Sequence, residues 1–299
     1  MAAQRTIEHA LTLANSVKLP QLGFGVYQSP RDVCVRSCLT ALEAGYRHID
    51  TAQYYANEAE VGHAVAQSGI PRKDLFLTTK ILSAAGSADA TFQKCADSVN
   101  KLDQKNGYVD LFLVHSPNSG KTARTEMWQA LEKLHGEGKS KSIGVSNYGI
   151  KHIEEMKEYA KVWPPHVNQI EVRGYVSADP VGFIANKMQL HPWCQQREIV
   201  DYCNKNKIII EAYCPLVRNA KANDKTLASI AEKHKVTPNQ VLCRWSLQKG
   251  WSPLPKSENP DRIKLNADLY GFDLDEKDMS ALDGLDEGPA GAIVQAVDN

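Results

Sequence analysis

At 299 residues, with 35 basic against 35 acidic side chains and no long run of one sign, the chain carries no electrostatic footprint for nucleic acid or acidic lipid, which leaves small-molecule chemistry as the default class. Its seven cysteines, of which only Cys34 and Cys38 lie close, spell neither a zinc site nor a disulfide framework and fit a reducing compartment. No basic segment leads into an apolar one at the N-terminus, and no run approaches the ~18 apolar residues of a membrane span, so a soluble cytoplasmic protein forming one domain over 1–299 is expected.

The stretch LTLANSVKLPQL reads as two short strands around a polar turn, a hairpin lidding one end of something larger. From LGFG at 22–25 the pattern becomes regular. Pro30 and Asp32 open a helix through Leu42, Gly45 stops it, and YRHID follows as a strand. The unit repeats through helices at 58–67, 90–102, 125–135 and 150–160 and strands at 75–79, 109–114, 141–145 and 166–170. After a disturbed region come a helix at 196–204, a strand at 207–212, helical patterns at 225–235 and 238–248, and a strand at 251–255. The strand starts, 24 to 43 residues apart, keep the cadence of a parallel sheet with crossover helices. Eight such units predict an α/β fold, a (β/α)8 TIM barrel with an N-terminal β-hairpin and two extra helices. An open doubly wound sheet would announce a dinucleotide with G-x-G-x-x-G, whereas LGFGVYQSP offers only G-x-G.

Polar residues then fall where a barrel builds its site, at the C-terminal ends of strands. Tyr27, Asp50, Lys80, His115, Ser146, Asn147, Gln169, Tyr213 and Lys256 all lie at or just past a predicted strand end, and Tyr55 follows Asp50 by five residues. A phenol, with an unperturbed pKa of ~10, is a weak acid near neutral pH. Lys80 as an ammonium would stabilise the phenolate and make Tyr55 a better proton donor, with Asp50 holding Lys80 charged and in place and His115 donating to a developing oxyanion. Such a set polarises a C=O but supplies no electrons, so a reducing equivalent has to come from a bound cofactor. Taken singly, Asp50 and Lys80 read equally as a buried structural ion pair and His115 as a packed core histidine. Four such groups at three successive strand ends favour chemistry. Tyr54 reads as packing or rim, and Trp128, Trp245 and Trp251 as packing.

The motifs LPQLGFG, DTAQYYANEAEVG, LFLTTK, VDLFLVHSP, GKSKSIGVSNY, VNQIE, LHPWCQQ, EAYCPL and LPKSENPDRI, in this order, resemble the aldo-keto reductase family over nearly the whole chain. The resemblance implies Tyr55 as proton donor supported by Asp50, Lys80 and His115, with hydride from NADPH. It implies Ser146, Asn147 and Gln169 on the nicotinamide carboxamide, Tyr213 stacked on the ring and Leu216 beside the cofactor. Lys256, Ser257 and Arg262 would clamp the adenosine 2′-phosphate, with Asn266 near the adenine. Two cations and a hydroxyl suit a dianion, and no acid is expected there to bind a bare ribose. Leu265 departs from the family by standing where many members carry an acid, and Ser116 by replacing a bulky aromatic, which implies a roomier pocket. Tyr27 and His115 are expected to line the substrate site, with loops 116–123 and 217–224 and the tail after Leu285. No metal site is expected, the partner is a small aldehyde or ketone, and the protein is expected to be a monomer or weak dimer. Two rivals remain: a Schiff-base aldolase using Lys80, and a non-enzymatic or impaired NADPH-binding regulatory module.

One anomaly interrupts the pattern. Between VNQIE and LHPW stand 18 residues, VRGYVSADPVGFIANKMQ at 172–189, whose removal would return a 42-residue strand spacing to 24. They read either as an elaborated loop on the catalytic face or as a translated retained intron, since a valine codon begins with GT and a glutamine codon can end the segment in CAG.

Overall fold

A computed structural model of the chain describes residues 6–170, 190–213, 215–216, 221 and 223–291. Ala10–Thr12 (β1) and Lys18–Pro20 (β2) pair antiparallel, with Ala10 opposite Pro20. Behind the hairpin, Leu13 and Leu19 are buried against Phe76, Leu111, Leu113 and Val167. That apolar cluster fills the N-terminal end of the second sheet, and Asn15 Nδ2 ties the turn to Lys141 O at 2.9 Å.

The second sheet has eight strands: Gly23–Gly25 (β3), His48–Asp50 (β4), Phe76–Ile81 (β5), Val109–Val114 (β6), Ser140–Ser146 (β7), Val167–Ile170 (β8), Ile209–Tyr213 (β9) and Ser252–Leu254 (β10). Each is hydrogen-bonded in parallel to the next in sequence. The edges meet where Gly25 N donates to Pro255 O at 3.1 Å. A Cβ on Gly23 would stand 2.4 Å from Leu254 Cδ2 and 2.6 Å from His48 Nδ1, so a side chain at this seam would have to displace both. The result is the expected (β/α)8 barrel.

Helices wrap it at Arg31–Glu43 (α1), Glu58–Gln67 (α2), Ala88–Leu102 (α3), Gly120–Gly136 (α4), Ile150–Glu155 (α5), Arg197–Lys205 (α6), Lys225–His234 (α7) and Pro238–Gln248 (α8). Two more, Pro260–Ala267 (α9) and Glu276–Asp283 (α10), follow the last strand. Several ends differ from the sequence reading. α4 starts at Gly120 instead of 125 because its first turn, GKTART, is polar and shows no apolar period. α5 stops at Glu155 and continues as the 3₁₀ turn Met156–Glu158. α9 and α10 span eight residues each, too short for periodicity, and are marked instead by their caps, Asn259 with Pro260 and Asp275 with Asp278.

Trp128, Trp245 and Trp251 are buried packing residues, as expected. Residues 171–189, which include the whole of the anomalous 172–189 segment, lie outside the described residues, as do 217–220, 222 and 292–299 of the expected pocket loop and tail. Among the described residues no helix is long and apolar enough to cross a membrane.

Candidate active site

Successive side chains of a strand point to opposite faces, so every second residue of a barrel strand enters the interior. On β5 this series is Phe76, Thr78, Lys80, and on β4 it is His48, Asp50; His48 touches both Phe76, ring to ring at 4.9 Å, and Thr78 Oγ1 at 2.9 Å. The interior thus changes from apolar to charged within two steps along one strand. Lys80, fully buried, meets three acceptors with its three N–H groups: Asp50 Oδ1 at 2.6 Å, Thr51 O at 3.0 Å and Tyr55 Oη at 3.2 Å.

Tyr55 ends the 3₁₀ turn Gln53–Tyr55 that follows β4. The turn is anchored by Asn57, fully buried, which accepts from Thr51 Oγ1 at 2.7 Å and donates to Val26 O at 3.0 Å and Ser29 O at 3.3 Å. Asn57 therefore fixes the Tyr55 loop to the Tyr27 loop, and the two rings stand 5.0 Å apart. His115, immediately after β6, is held through its N–H to Ile81 O at 2.8 Å and sets its ring edge-on to Tyr55, 5.7 Å between centroids. The four residues of the expected catalytic group converge. Tyr54 is 39% exposed and lies on the rim. Ser116 is half-buried, its Oγ accepting from Asn118 N at 3.3 Å.

A second layer lies against Asp50. Ser146 closes β7, and Asn147, with φ 62°, turns back so that its Nδ2 reaches Ser146 Oγ at 3.1 Å and His115 O at 3.3 Å. Gln169 Nε2 donates to Asp50 Oδ2 at 2.8 Å and to Glu211 Oε2 at 2.7 Å, while its Oε1 is buried without a partner among the described residues. Burial, and after it the Asp50 charge, pushes the Glu211 carboxyl up to about 8, and burial followed by the Lys80 charge brings His48 down to about 3. His48 is therefore uncharged near pH 7, so its 3.8 Å approach through Nε2 to Glu211 Oε1 is not an ion pair, while burial holds Glu211 toward its neutral form. Glu211 and His48 escaped the sequence reading. The signal was present: each sits two residues before a singled-out residue, Tyr213 or Asp50, on the same face of its strand.

Beside this layer a cavity of about 440 Å³ brings together Tyr27, Tyr213, Leu216, Lys256, Ser257, Arg262 and Asn266. Arg262 Nε donates to Ser257 Oγ at 3.4 Å, and Asn259 Oδ1 accepts from Arg262 N at 3.0 Å, placing both at the start of α9. Asn239 and Glu258 also line the cavity. Glu258 corrects the expectation that no acid stands here: two residues beyond Lys256 in the turn before α9, its Oε1 accepts from Lys256 Nζ at 2.5 Å. Leu265 is 42% exposed on the same helix and is not among the lining residues. Two cations and a hydroxyl in one cavity suit a phosphate, and the open Gln169 Oε1 in the neighbouring layer suits an amide donor.

Residues 21–287 match the profile of the Aldo/keto reductase family. An uncharacterized oxidoreductase of Schizosaccharomyces pombe is 40% identical over 285 residues, covering 92% of this chain and 93% of that protein. Among solved structures, an aldo/keto reductase from Brucella melitensis is similar with a TM-score of 0.84 and 38% identity, covering 95% of this chain and 100% of that one. A mutant of the protein Gox0644, in complex with NADPH, is similar with a TM-score of 0.82 and 34% identity, covering 94% of each chain.

Proposed function

Because this chain belongs to the aldo/keto reductase family, it is an oxidoreductase of the class that works with a nicotinamide cofactor, and we propose that it reduces an aldehyde or ketone to an alcohol with NADPH, Tyr55 giving the proton. The observation that carries this reading is the three-way bonding of Lys80, whose ammonium is fixed by Asp50 and pointed at the Tyr55 oxygen. NADPH, when bound, supplies the hydride to the carbonyl carbon. Tyr55 Oη protonates the carbonyl oxygen, and the phenolate left behind faces Lys80 Nζ at 3.2 Å. His115, edge-on to Tyr55, would donate to the same oxygen as charge develops on it.

Ser146, Asn147 and Gln169 would hold the carboxamide, Tyr213 the face of the ring and Leu216 its flank. Lys256, Ser257 and Arg262 would hold the 2′-phosphate, with Asn266 toward the adenine. Glu258 already neutralises Lys256 and has to yield part of that contact to a phosphate. Tyr27 and His115 would border the substrate, with Ser116 leaving room beside them. The 2.6 Å pair with Asp50 speaks against a neutral Schiff-base lysine at Lys80. The test follows NADPH absorbance with a panel of aldehydes that includes an aromatic one and a short sugar. Oxidation of NADPH supports the reductase; a protein that quenches cofactor fluorescence yet oxidises none is a regulatory module, and borohydride trapping of an adduct on Lys80 would revive the aldolase.

A further inference from the structure

Two residues before Tyr213 on the same face of β9, Glu211 is a fully buried acid for which the reduction just described has no use. Its Oε2 accepts one hydrogen of the Gln169 amide at 2.7 Å, and the other goes to Asp50 Oδ2 at 2.8 Å. Asp50 gives its remaining oxygen to Lys80 at 2.6 Å. An unbroken line of contacts therefore runs from Glu211 through Gln169, Asp50 and Lys80 to Tyr55. With both amide hydrogens engaged, Gln169 has one orientation left, because turning it over would set its carbonyl oxygen against the Asp50 carboxylate.

We propose that Glu211 is a positioning residue for carbonyl reduction, gripping the Gln169 amide so that Oε1 is offered to an N–H donor of the nicotinamide carboxamide while Asp50 stays against Lys80. The inference rests on the reductase reading above. The titratable and charged groups facing Glu211 are Asp50 and His48 from β4 and Lys80 from β5, with Tyr213 farther along its own strand; the flanking strands β8 and β10 carry no titratable residue. With Glu211 protonated and His48 held down by burial, the charge of the layer is the Asp50–Lys80 pair. A neutral carboxyl still accepts from Gln169. Ionising it would add a second negative charge beside Asp50, which opposes formation of a Tyr55 phenolate.

The test compares Glu211→Gln, which keeps an acceptor oxygen but cannot ionise, with Glu211→Leu, which keeps bulk and removes the acceptor. NADPH affinity, read by quenching of protein fluorescence with no carbonyl present, is expected to fall about tenfold in Glu211→Leu and to stay within about twofold of wild type in Glu211→Gln. The kcat of wild type with an aldehyde is expected to decline as the pH passes about 8, and Glu211→Gln to lack that decline. Equal NADPH affinity in all three proteins, or superimposable pH profiles for wild type and Glu211→Gln, overturns the assignment. The second comparison holds even where Glu211→Leu does not fold. Wild type that binds NADPH but reduces no aldehyde sinks the reductase reading instead, and the binding comparison still decides the role of Glu211.

Discussion

The two ends of the barrel interior are built from the same strands and do opposite things. At the N-terminal end Leu13, Leu19, Phe76, Leu111, Leu113 and Val167 form a closed apolar plug. At the other, two to four residues farther along the same strands, Lys80, His115 and Gln169 occupy the equivalent inward positions, with Asp50 and Glu211 between them. The plug is apolar throughout. The charged end sets Lys80 against Asp50, because a buried ion left alone costs several kcal/mol, on the order of 3–5 when one partner is removed. The apolar end needs no such pairing, while the other keeps an ammonium, a carboxylate and a second buried acid joined through the Gln169 amide. A protein-wide average of burial would miss the division, since both ends are equally shielded from solvent.

The sharpest way to separate the ends is Tyr55→Phe. Turnover is expected to fall by roughly 10²–10⁴-fold, the ordinary worth of a general acid, with NADPH affinity by fluorescence titration nearly unchanged. A variant with near wild-type turnover at saturating substrate would remove Tyr55 as proton donor. The complementary break is Leu111→Ala in the plug, expected to cost about 2–5 kcal/mol in denaturant unfolding while kcat per folded molecule holds. A loss of turnover without a loss of stability there would contradict the division.

Arg262→Ala probes the rim of the charged end. It is expected to weaken NADPH by about 1.5–3 kcal/mol and NADH far less, as measured by parallel titrations. Equal losses would mean the guanidinium meets something other than the 2′-phosphate. Deleting 172–189 is expected to stabilise the protein by about 1 kcal/mol from loop-closure entropy alone, read as a higher midpoint of thermal unfolding, and to preserve reductase activity, as the retained-intron reading requires. Loss of folding or of substrate affinity would make the segment a working loop, and coding DNA without GT and AG at its borders would end the intron reading directly. The smallest effect is assigned to Tyr54→Phe, the rim neighbour of Tyr55, whose turnover and stability should both change by no more than about 0.5 kcal/mol.

Strand cadence and strand-end chemistry were legible in the chain before any fold was in hand. Period-2 patterning and turn residues are local, so the eight strands, the long crossover helices and the positions of Asp50, Lys80, His115 and Gln169 at strand ends could be placed from neighbouring residues alone. Glu258 shows where such reading failed: as one of two acids in LPKSENPDRI, with Asp261, it had no distinguishing mark, and only the fold of that turn brings its carboxylate onto Lys256. Asn57 likewise looks like an ordinary helix-start residue in ANEAEV until the Val26 and Ser29 carbonyls are seen to meet it.

By itself the sequence determined the order and kind of the elements and the family to which they belong, because those depend on residues a few positions apart. Only the tertiary structure decided that the Gln169 amide is shared between Asp50 and Glu211, that burial pushes the Glu211 carboxyl up and the His48 imidazole down, and that Lys80 meets Asp50 at 2.6 Å. Hydrogen-bond partners and ionisation states are set by distances between strands 42 or 119 residues apart in the chain and by exclusion of water from the closed barrel, neither of which exists until all eight strands are in place.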